Sequence, residues 1–380
     1  MTRRGYFLVA AGTALIACCY GFARFTYGLF APVFTDAFEL TPTLTGVIGA
    51  GSYVGYCAAI VVSLVLTERL GARWVAAAAG VVATVGISIV AVATSAWVLA
   101  AGVLVAGCST GIASPPLAAA VAQFVPSAAA DRAQTVVNGG TGVGVVLSAP
   151  IALALFTHWR LAWAVYAILA VLVTIAVILA IPSTSGLPAQ AAAERSWRPG
   201  SFGLIAASLM MGIGSIAVWT FGRDLITTVG GADTTRSSLM WIVLGAAGII
   251  GALAGDAVGR FGLRRAWIAA TVTMAAASVL LALVPSNLVA VIVAAALFGA
   301  AYISLTGLLL LWSVRLYPDR TSFGVGLSFF TIAAGQALGA PAAGLLIDAV
   351  GAAAAFVTIA LVGLSVVALR PAGSAQPRNA

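Results

Sequence analysis

The stretches ERLGARW at residues 68–74 and GRFGLRR at residues 259–265 share one basic pattern, Arg-x-Gly-x-Arg. The two copies stand 191 residues apart, from Arg69 to Arg260, in a chain of 380 residues. The same spacing relates four more pairs of identical residues: Gly21 and Gly212, Gly144 and Gly335, Ala149 and Ala340, and Pro150 and Pro341. We interpret the chain as a duplicated unit, and internal duplication in a very apolar chain is typical of secondary transporters.

Composition places the chain in a membrane. Its residues are 62% apolar and 7% charged, whereas a soluble domain has about 25% charged residues. Apolar stretches of about 20 residues, each long enough to cross a bilayer as a helix, recur from end to end. The sequence therefore predicts an integral membrane protein built from helices.

The apolar stretches give twelve predicted spans, six in each copy of the duplicated unit. They are Tyr6–Phe34, Thr43–Leu66, Val75–Thr94, Trp97–Phe124, Gln134–Thr157, Leu161–Ile181, Ser201–Val229, Ser237–Val258, Ala266–Val284, Leu288–Val314, Phe323–Ile347 and Ala352–Leu369. The predicted fold is all-α, with two pseudo-symmetric six-helix bundles. Residues 1–182 form the first bundle, the polar residues 183–200 an exposed cytoplasmic linker, and residues 201–380 the second bundle.

The basic residues are all arginine and are unevenly distributed between the two sides. The side of the N-terminus carries fourteen: Arg3, Arg4, Arg69, Arg73, Arg132, Arg195, Arg198, Arg260, Arg264, Arg265, Arg315, Arg320, Arg370 and Arg378. The opposite loops carry Arg160, Arg223 and Arg236, which leaves Arg24 inside a span. Basic loops stay in the cytoplasm, so we expect both termini there, in a bacterial cytoplasmic (inner) membrane. This distribution explains the net charge of +8 without a nucleic-acid partner.

The sequence lacks the residues that several other functions require. The chain contains no Lys, and therefore no phosphate-binding G-x-x-x-x-G-K-[ST] loop. The four cysteines lie within predicted spans without metal-ligand spacing. We expect no cofactor, no metal and no catalytic residue. The alternatives are a polytopic membrane enzyme, a channel and a sensor, but the sequence shows no cluster of acids, His or metal ligands in its short loops, no pore-lining ring and no soluble output domain.

At the two basic loops the chain resembles the major facilitator superfamily of transporters, over essentially its whole length. That family carries G-x-L-x-D-R-x-G-x-R between helices 2 and 3, and a weaker copy between helices 8 and 9. Here Leu64 stands at the leading glycine, Glu68 at the first acid and Gly259 at the second acid, with Asp256 three residues earlier. The resemblance implies a gate that locks one state of a functional monomer. The gating residues would be Glu68, Arg69, Gly71, Arg73, Asp256, Arg260, Gly262 and Arg264; plain cytoplasmic anchoring is the alternative.

A second pattern concerns helix packing. Span 11 reads G-x-x-x-G-A-P-x-x-G from Gly335 through Gly339 and Pro341, and span 5 has Gly140, Gly144 and Pro150 at the matching place. Glycines four apart permit close approach of helices, and proline removes one backbone hydrogen bond. We expect packed hinges; the pattern is also similar to the helix-5 signature of antiporters in the superfamily, except that an alanine separates Gly from Pro.

Arg24 is the one charge that the spans place clearly inside the membrane. It lies on a stripe of small residues spaced three and four apart: Thr13, Ala17, Gly21, Gly28 and Ala31. A membrane-embedded Arg costs about 3 kcal/mol and offers five donors to a carboxylate or phosphate. Contact with a substrate or counter-ion is one interpretation. The other is a structural Arg that reaches Asp36 or the carbonyls of a helix end.

Other polar and aromatic side chains are candidates for the same site. Tyr20 and Tyr27 are spaced to flank Arg24 on a helix. In the superfamily, helices 1, 2, 4, 5, 7, 8, 10 and 11 line a central cavity. The resemblance therefore adds Tyr53, Tyr56, Asn138, Thr141, Trp219, Tyr302, Thr306 and Gln336 by position.

The predicted function is secondary active transport of a small organic solute by alternating access. A buried cation without a buried acid favours an anionic solute. The alternative is a proton-coupled exporter of drugs or metabolites, which the Gly and Pro pattern and the aromatic lining favour. The expected partners are the solute, the lipid bilayer and, if transport is coupled, a proton or another ion; the spans show no acid near their middle to identify that ion.

Overall fold

The computed structural model describes residues 2–183, 197–251, 260–317 and 321–369, which are helical with short connections and contain no strand. Helices α1 to α12 are, in chain order, Arg3–Phe38, Pro42–Leu70, Ala72–Ala91, Ala96–Phe124, Ser127–Ala154, Trp159–Ala180, Ser201–Val229, Thr234–Gly251, Leu263–Leu283, Leu288–Leu316, Thr321–Val350 and Ala352–Leu364. Of these twelve helices, ten are long and apolar enough within the described ranges to cross a membrane, and α12 is a shorter apolar helix. The prediction of twelve membrane helices is confirmed.

Polar caps fix where several helices begin. Thr41 accepts a hydrogen bond from the Leu44 amide at the start of α2, with Pro42 as the first helical residue. Asn287 accepts from the Ala290 amide at the start of α10. Because these caps satisfy backbone N–H groups that the first turn leaves free, the starts lie within a residue of the predicted ones.

Other helices run past their apolar stretches. Helix α1 extends from Arg3 rather than Tyr6, and α5 begins at Ser127 rather than Gln134. Hydropathy marks the part of a helix that lipid covers, whereas backbone hydrogen bonding continues into polar residues at the membrane surface.

The duplication is visible in the way that helices cross. Gly21 on α1 packs against Gly144 on α5, and Gly212 on α7 packs against Gly335 on α11. Each glycine of the second pair stands 191 residues after its counterpart in the first pair. At both crossings a Cβ atom added to either glycine meets backbone of the other helix. The two copies of the sequence unit therefore repeat one tight helix pair.

The shared spacing of the basic loops also has a backbone reason. Gly71 has φ 81° and ψ 161°, and Gly262 has φ 78° and ψ 155°, each just before a helix. Only glycine adopts this region readily, because a Cβ atom clashes there. Both Arg-x-Gly-x-Arg copies thus turn the chain into α3 and α9 in the same way.

Helix α1 contains a π-helical stretch, Ala17–Phe25, that includes Arg24. The Thr26 hydroxyl donates to the carbonyl of Gly21, five residues back, at 2.8 Å. The wider turn changes the direction in which later side chains point, and such stretches are frequent at functional sites.

The two halves meet along three pairs of helices: α2 with α11, α5 with α8, and α1 with α7. We call the face where α1 ends and α2 begins the distal face, and the opposite one the N-terminal face. Near the distal face, Gly46 packs on the Ala340 carbonyl and Gly344 on the Pro42 carbonyl. Asp348 of α11 accepts hydrogen bonds from the amide and hydroxyl of Thr43 on α2. The halves are closed against each other at this face.

Candidate functional site

Arg24 lies between the halves with its side chain only 6% exposed. Its Nη2 donates to Oε1 of Gln336 on α11, at 2.5 Å. The contact joins residues 312 positions apart in the sequence and links the first half to the second. Arg24 therefore reaches across the interface between the halves instead of reaching Asp36 or a helix end.

Gln336 belongs to a polar group within the second half. Its Nε2 donates to the Tyr302 hydroxyl on α10 at 3.2 Å and to the Ser215 hydroxyl on α7 at 3.4 Å. Gln336 and Ser215 are fully buried. Because buried polar atoms are costly when unpaired, this network fixes Gln336 beside Arg24.

Aromatic rings surround the guanidinium. The Arg24 Cζ lies 4.4 Å from the ring centroid of Tyr53, 5.1 Å from Tyr56, 5.1 Å from Phe25 and 5.7 Å from Tyr20. Each such contact contributes up to about 2 kcal/mol when desolvated. The rings offset part of the cost of burying a charge while leaving that charge unneutralised.

Arg24 keeps unused binding capacity. Its Nε is buried and has no hydrogen-bond partner. Within the described ranges no carboxylate bonds to it. A carboxylate or phosphate suits a guanidinium better than a neutral amide does. Arg24 is therefore a cationic group whose hydrogen-bond acceptor, the Gln336 amide, is a weak one.

A second aromatic group adjoins the first. Trp219 stacks on Phe25 with ring centroids 4.0 Å apart, and it meets Tyr302 edge to face at 5.1 Å. Trp241 of α8 and Phe298 of α10 complete this group. The guanidinium thus has polar contacts on the side of Gln336 and a broad apolar wall beside it.

Six of the predicted substrate residues come together with Arg24: Tyr20, Tyr53, Tyr56, Trp219, Tyr302 and Gln336. Tyr27 does not, because its hydroxyl donates to the Thr45 carbonyl on α2 and its ring packs on Phe34. Asn138 is exposed on α5 and accepts from Gln134. These two side chains lie outside the cluster.

Sequence reasoning missed Phe25, Ser114 and Ser215. Ser114 of α4 pairs with the Tyr20 hydroxyl at 3.0 Å. Ser215 had a usable signal, since it stands 191 residues after Arg24 and is its counterpart in the repeat. Both counterparts contact Gln336.

Arg223 corrects the sequence analysis. It was predicted in a loop, but it is 1% exposed within α7. Its Nε donates to Ser237 at 3.1 Å, and its Nη1 donates to the carbonyl of Leu29 on α1. Arg24 is therefore not the only charge inside the spans. The span boundaries carried the signal, because the predicted span continues six residues beyond Arg223 to Val229.

The predicted gating residues lie at the N-terminal face. Glu68, Arg69, Arg260 and Arg264 are exposed. Arg73 is half-buried with its guanidinium over Trp74, 5.4 Å from the ring centroid. Asp256 lies outside the described residues. Among the remaining gating side chains the structure records no ion pair, so their gating role stays a prediction.

The predicted hinge residues lie at crossings between helices. Gly140 packs on the Thr13 carbonyl, Gly144 on the Ala17 carbonyl and Gly335 on the Leu209 carbonyl. Gly339 packs against Ile213 and Ile216. Pro150 and Pro341 are inside α5 and α11. The glycines allow close packing; bending at the prolines stays a prediction.

Comparisons with known proteins agree with this architecture. A sequence model of the family described as "Uncharacterised MFS-type transporter YbfB" matches residues 16–370. The chain is 28% identical to "Transcription regulatory protein OpdE" of Pseudomonas aeruginosa, over 91% of this chain and 89% of that protein. It is 24% identical to "Purine ribonucleoside efflux pump NepI" of Shigella dysenteriae, over 80% of each. The solved structure of a mutant of the nucleoside transporter NupG superposes with a TM-score of 0.77 at 12% identity, covering 96% of this chain and 98% of that one.

Proposed function

This chain belongs to the major facilitator superfamily of membrane transporters, and we propose that it carries a small organic anion through the site around Arg24. Transport by alternating access needs a binding site between two halves that move against each other. The hydrogen bond from Arg24 of the first half to Gln336 of the second supports a site between the halves. We propose that the protein works as a monomer.

One observation carries the preference for an anion. The buried Arg24 guanidinium has an unpartnered Nε and, among the described residues, no carboxylate bonded to it. An uncompensated cation inside a membrane protein is unfavourable. An anionic solute would supply the missing charge and would gain charge-assisted hydrogen bonds in return.

A second candidate is export of a nucleoside or another flat polar metabolite. The stacked Phe25 and Trp219 rings, with Tyr302 beside them, suit an aromatic solute. The Gln336 amide suits the hydrogen-bonding edge of a base. The relative named as a purine ribonucleoside efflux pump supports this candidate.

Coupling of either activity to protons is tested by imposing a pH gradient across proteoliposomes.

The deciding experiment measures thermal stabilisation of the purified protein by benzoate, succinate, inorganic phosphate, adenosine, inosine and tetraphenylphosphonium. A ligand at a hundred times its Kd stabilises the folded state by about 2.7 kcal/mol. Arg24→Gln removes the charge, Arg24→Lys keeps it without the guanidinium, and Arg236→Gln is the matched control because Arg236 is exposed.

Stabilisation by an anion in wild type and Arg236→Gln, but not in Arg24→Gln, supports the anion proposal. Stabilisation by nucleosides that persists in Arg24→Gln supports the second candidate and refutes the first. Uptake into proteoliposomes by the same ligand then tests transport itself.

We also infer that both termini lie in the cytoplasm of a bacterial inner membrane, because arginines are concentrated on the N-terminal face. Trp97, in the first turn of α4 at the distal face, is 86% exposed, and Trp197, before α7 at the N-terminal face, is 69% exposed. A membrane-impermeant maleimide added to whole cells should label Trp97→Cys and spare Trp197→Cys. The reverse pattern contradicts this orientation.

A further inference from the structure

The hydrogen-bond network gives the Gln336 amide one orientation. The Ser215 hydroxyl donates to the Gly212 carbonyl at 3.0 Å, so its single hydrogen is already used. Its oxygen can then only accept, and the Gln336 group that donates to it at 3.4 Å is Nε2. The same Nε2 donates to Tyr302. With both amide hydrogens engaged, Oε1 faces Arg24.

The two groups that accept from Nε2 belong to the same half as Gln336 itself. Ser215 is on α7, Tyr302 on α10 and Gln336 on α11, whereas Arg24 is on α1. The second half thus holds a neutral oxygen acceptor in a fixed position against the cation of the first half. This acceptor has the geometry of a ligand oxygen but carries no charge.

We propose that Gln336 Oε1 stands in for the anionic oxygen of the substrate when the site is empty, and that the arriving anion takes its place on Arg24. This inference rests on the proposed function, since it requires an anion at Arg24. A charged donor already strengthens its hydrogen bond to a neutral amide, but an anionic acceptor adds the Coulomb attraction between two opposite charges, which the amide lacks. The anion therefore outcompetes the amide, and binding releases a contact between the halves.

The exchange links occupancy to movement. A ligand shifts a conformational equilibrium only by interacting differently with the two states. Here the anion removes the Arg24–Gln336 contact, which exists only while the halves are placed as they are. Ser215 is a positioning residue: without it, only the Tyr302 hydroxyl still holds Nε2, and Oε1 is held less firmly against Arg24.

Three substitutions test the exchange. Gln336→Met has a similar length and no strong acceptor, so it removes the competitor of the anion. Gln336→Glu places a permanent carboxylate beside Arg24. Ser215→Ala leaves the amide in place but removes one of the groups that orient it.

The measurement is titration of purified wild type and variants with benzoate, succinate and inorganic phosphate, followed by thermal unfolding, with uptake into proteoliposomes as a second readout. A hydrogen bond to a charged donor corresponds to about tenfold to a hundredfold in affinity. Gln336→Met should therefore bind the anion about tenfold or more tightly yet transport it more slowly. Gln336→Glu should unfold at higher temperature without ligand and lose the response to anions.

Ser215→Ala should change affinity in the same direction as Gln336→Met but by less, and it provides the test if Gln336→Met does not fold. Weaker anion binding in Gln336→Met or Ser215→Ala overturns the inference, because it would make Gln336 a direct ligand. An undiminished anion response in Gln336→Glu also overturns it. A wild type that shows no Arg24-dependent anion binding refutes the proposed function, and the inference falls with it.

Discussion

Arg223 of α7 donates a hydrogen bond to the backbone carbonyl of Leu29 on α1, and so joins the second half to the first near the distal face. Beside this contact, Gly28 packs directly on the Trp219 carbonyl. Pro32, inside α1, provides no N–H for the carbonyl of Gly28. The segment of α1 around Leu29 is thus a place where the backbone contacts the other half directly.

Replacing Arg223 with Met should favour opening of the distal face. The variant removes a charge-assisted hydrogen bond between the halves, which contributes about 1.5–3 kcal/mol. Spin labels at Glu39→Cys and Val350→Cys, with Cys57 and Cys108 changed to serine, would report the separation of the halves. We expect a longer-distance population in Arg223→Met and none in Arg236→Met. An unchanged distance distribution would show that Arg223 does not hold the face closed.

Asp348 should contribute to the same closure through the start of α2. Its carboxylate accepts from the Thr43 amide at 2.9 Å and from the Thr43 hydroxyl. Loss of a cap of this kind costs about 0.5–2 kcal/mol. Asp348→Ala should lengthen the same spin-label distance, while Asp348→Asn, which keeps an acceptor oxygen, should have a smaller effect. Equal effects of the two variants would contradict the capping role.

The repeated glycine crossings should be sensitive to a single methyl group. In Gly144→Ala and Gly335→Ala, the new Cβ meets the carbonyl oxygen of Ala17 or of Leu209. Overpacking costs about 1–3 kcal/mol, so both variants should unfold at lower temperature in detergent. Gly139→Ala and Gly326→Ala are matched controls, because nothing lies within 4 Å of their Cβ positions. Equal thermal stability across the four variants would refute this role of the crossings.

Gly71 and Gly262 should resist substitution for a backbone reason. A side chain at φ 81° and ψ 161° is strained by about 1–3 kcal/mol. Asn should not rescue Gly71, because its tolerance for positive φ applies near ψ of about 47°. We expect Gly71→Ala and Gly71→Asn to lower the unfolding temperature similarly, and Gly262→Ala to behave like Gly71→Ala. A clear advantage of Asn over Ala at Gly71 would argue against backbone strain.

Much of the fold could be predicted because its signals are local. Hydropathy located the spans, and their ends were missed mainly where helices continue into polar residues, as at Arg3 and Ser127. The candidate site was less accessible. Tyr20 and Tyr27 were expected to flank Arg24 on an α-helix, but the π-helical stretch ends at Phe25. One additional residue per turn rotates later side chains by about 100°, and Tyr27 points to α2 instead.

Arg223 was misplaced for a related reason. The predicted span continues beyond Arg223, but an arginine near the end of a span can still extend to the membrane surface. The packing of α7 against α1 decides that its guanidinium is enclosed.

By itself, the sequence determined that the chain is a duplicated, twelve-helix membrane protein with a charge inside its first span, because composition, apolar length and repeat spacing are properties of the chain alone. Only the tertiary structure decided that Arg24 contacts Gln336, 312 residues away. It also decided that Ser215 accepts from the Gln336 amide and so helps to orient it. The physical reason is that such contacts depend on how each helix is rotated and how closely its neighbours approach. Both follow from small-residue crossings and from the π-helical stretch, which act between helices rather than along the chain.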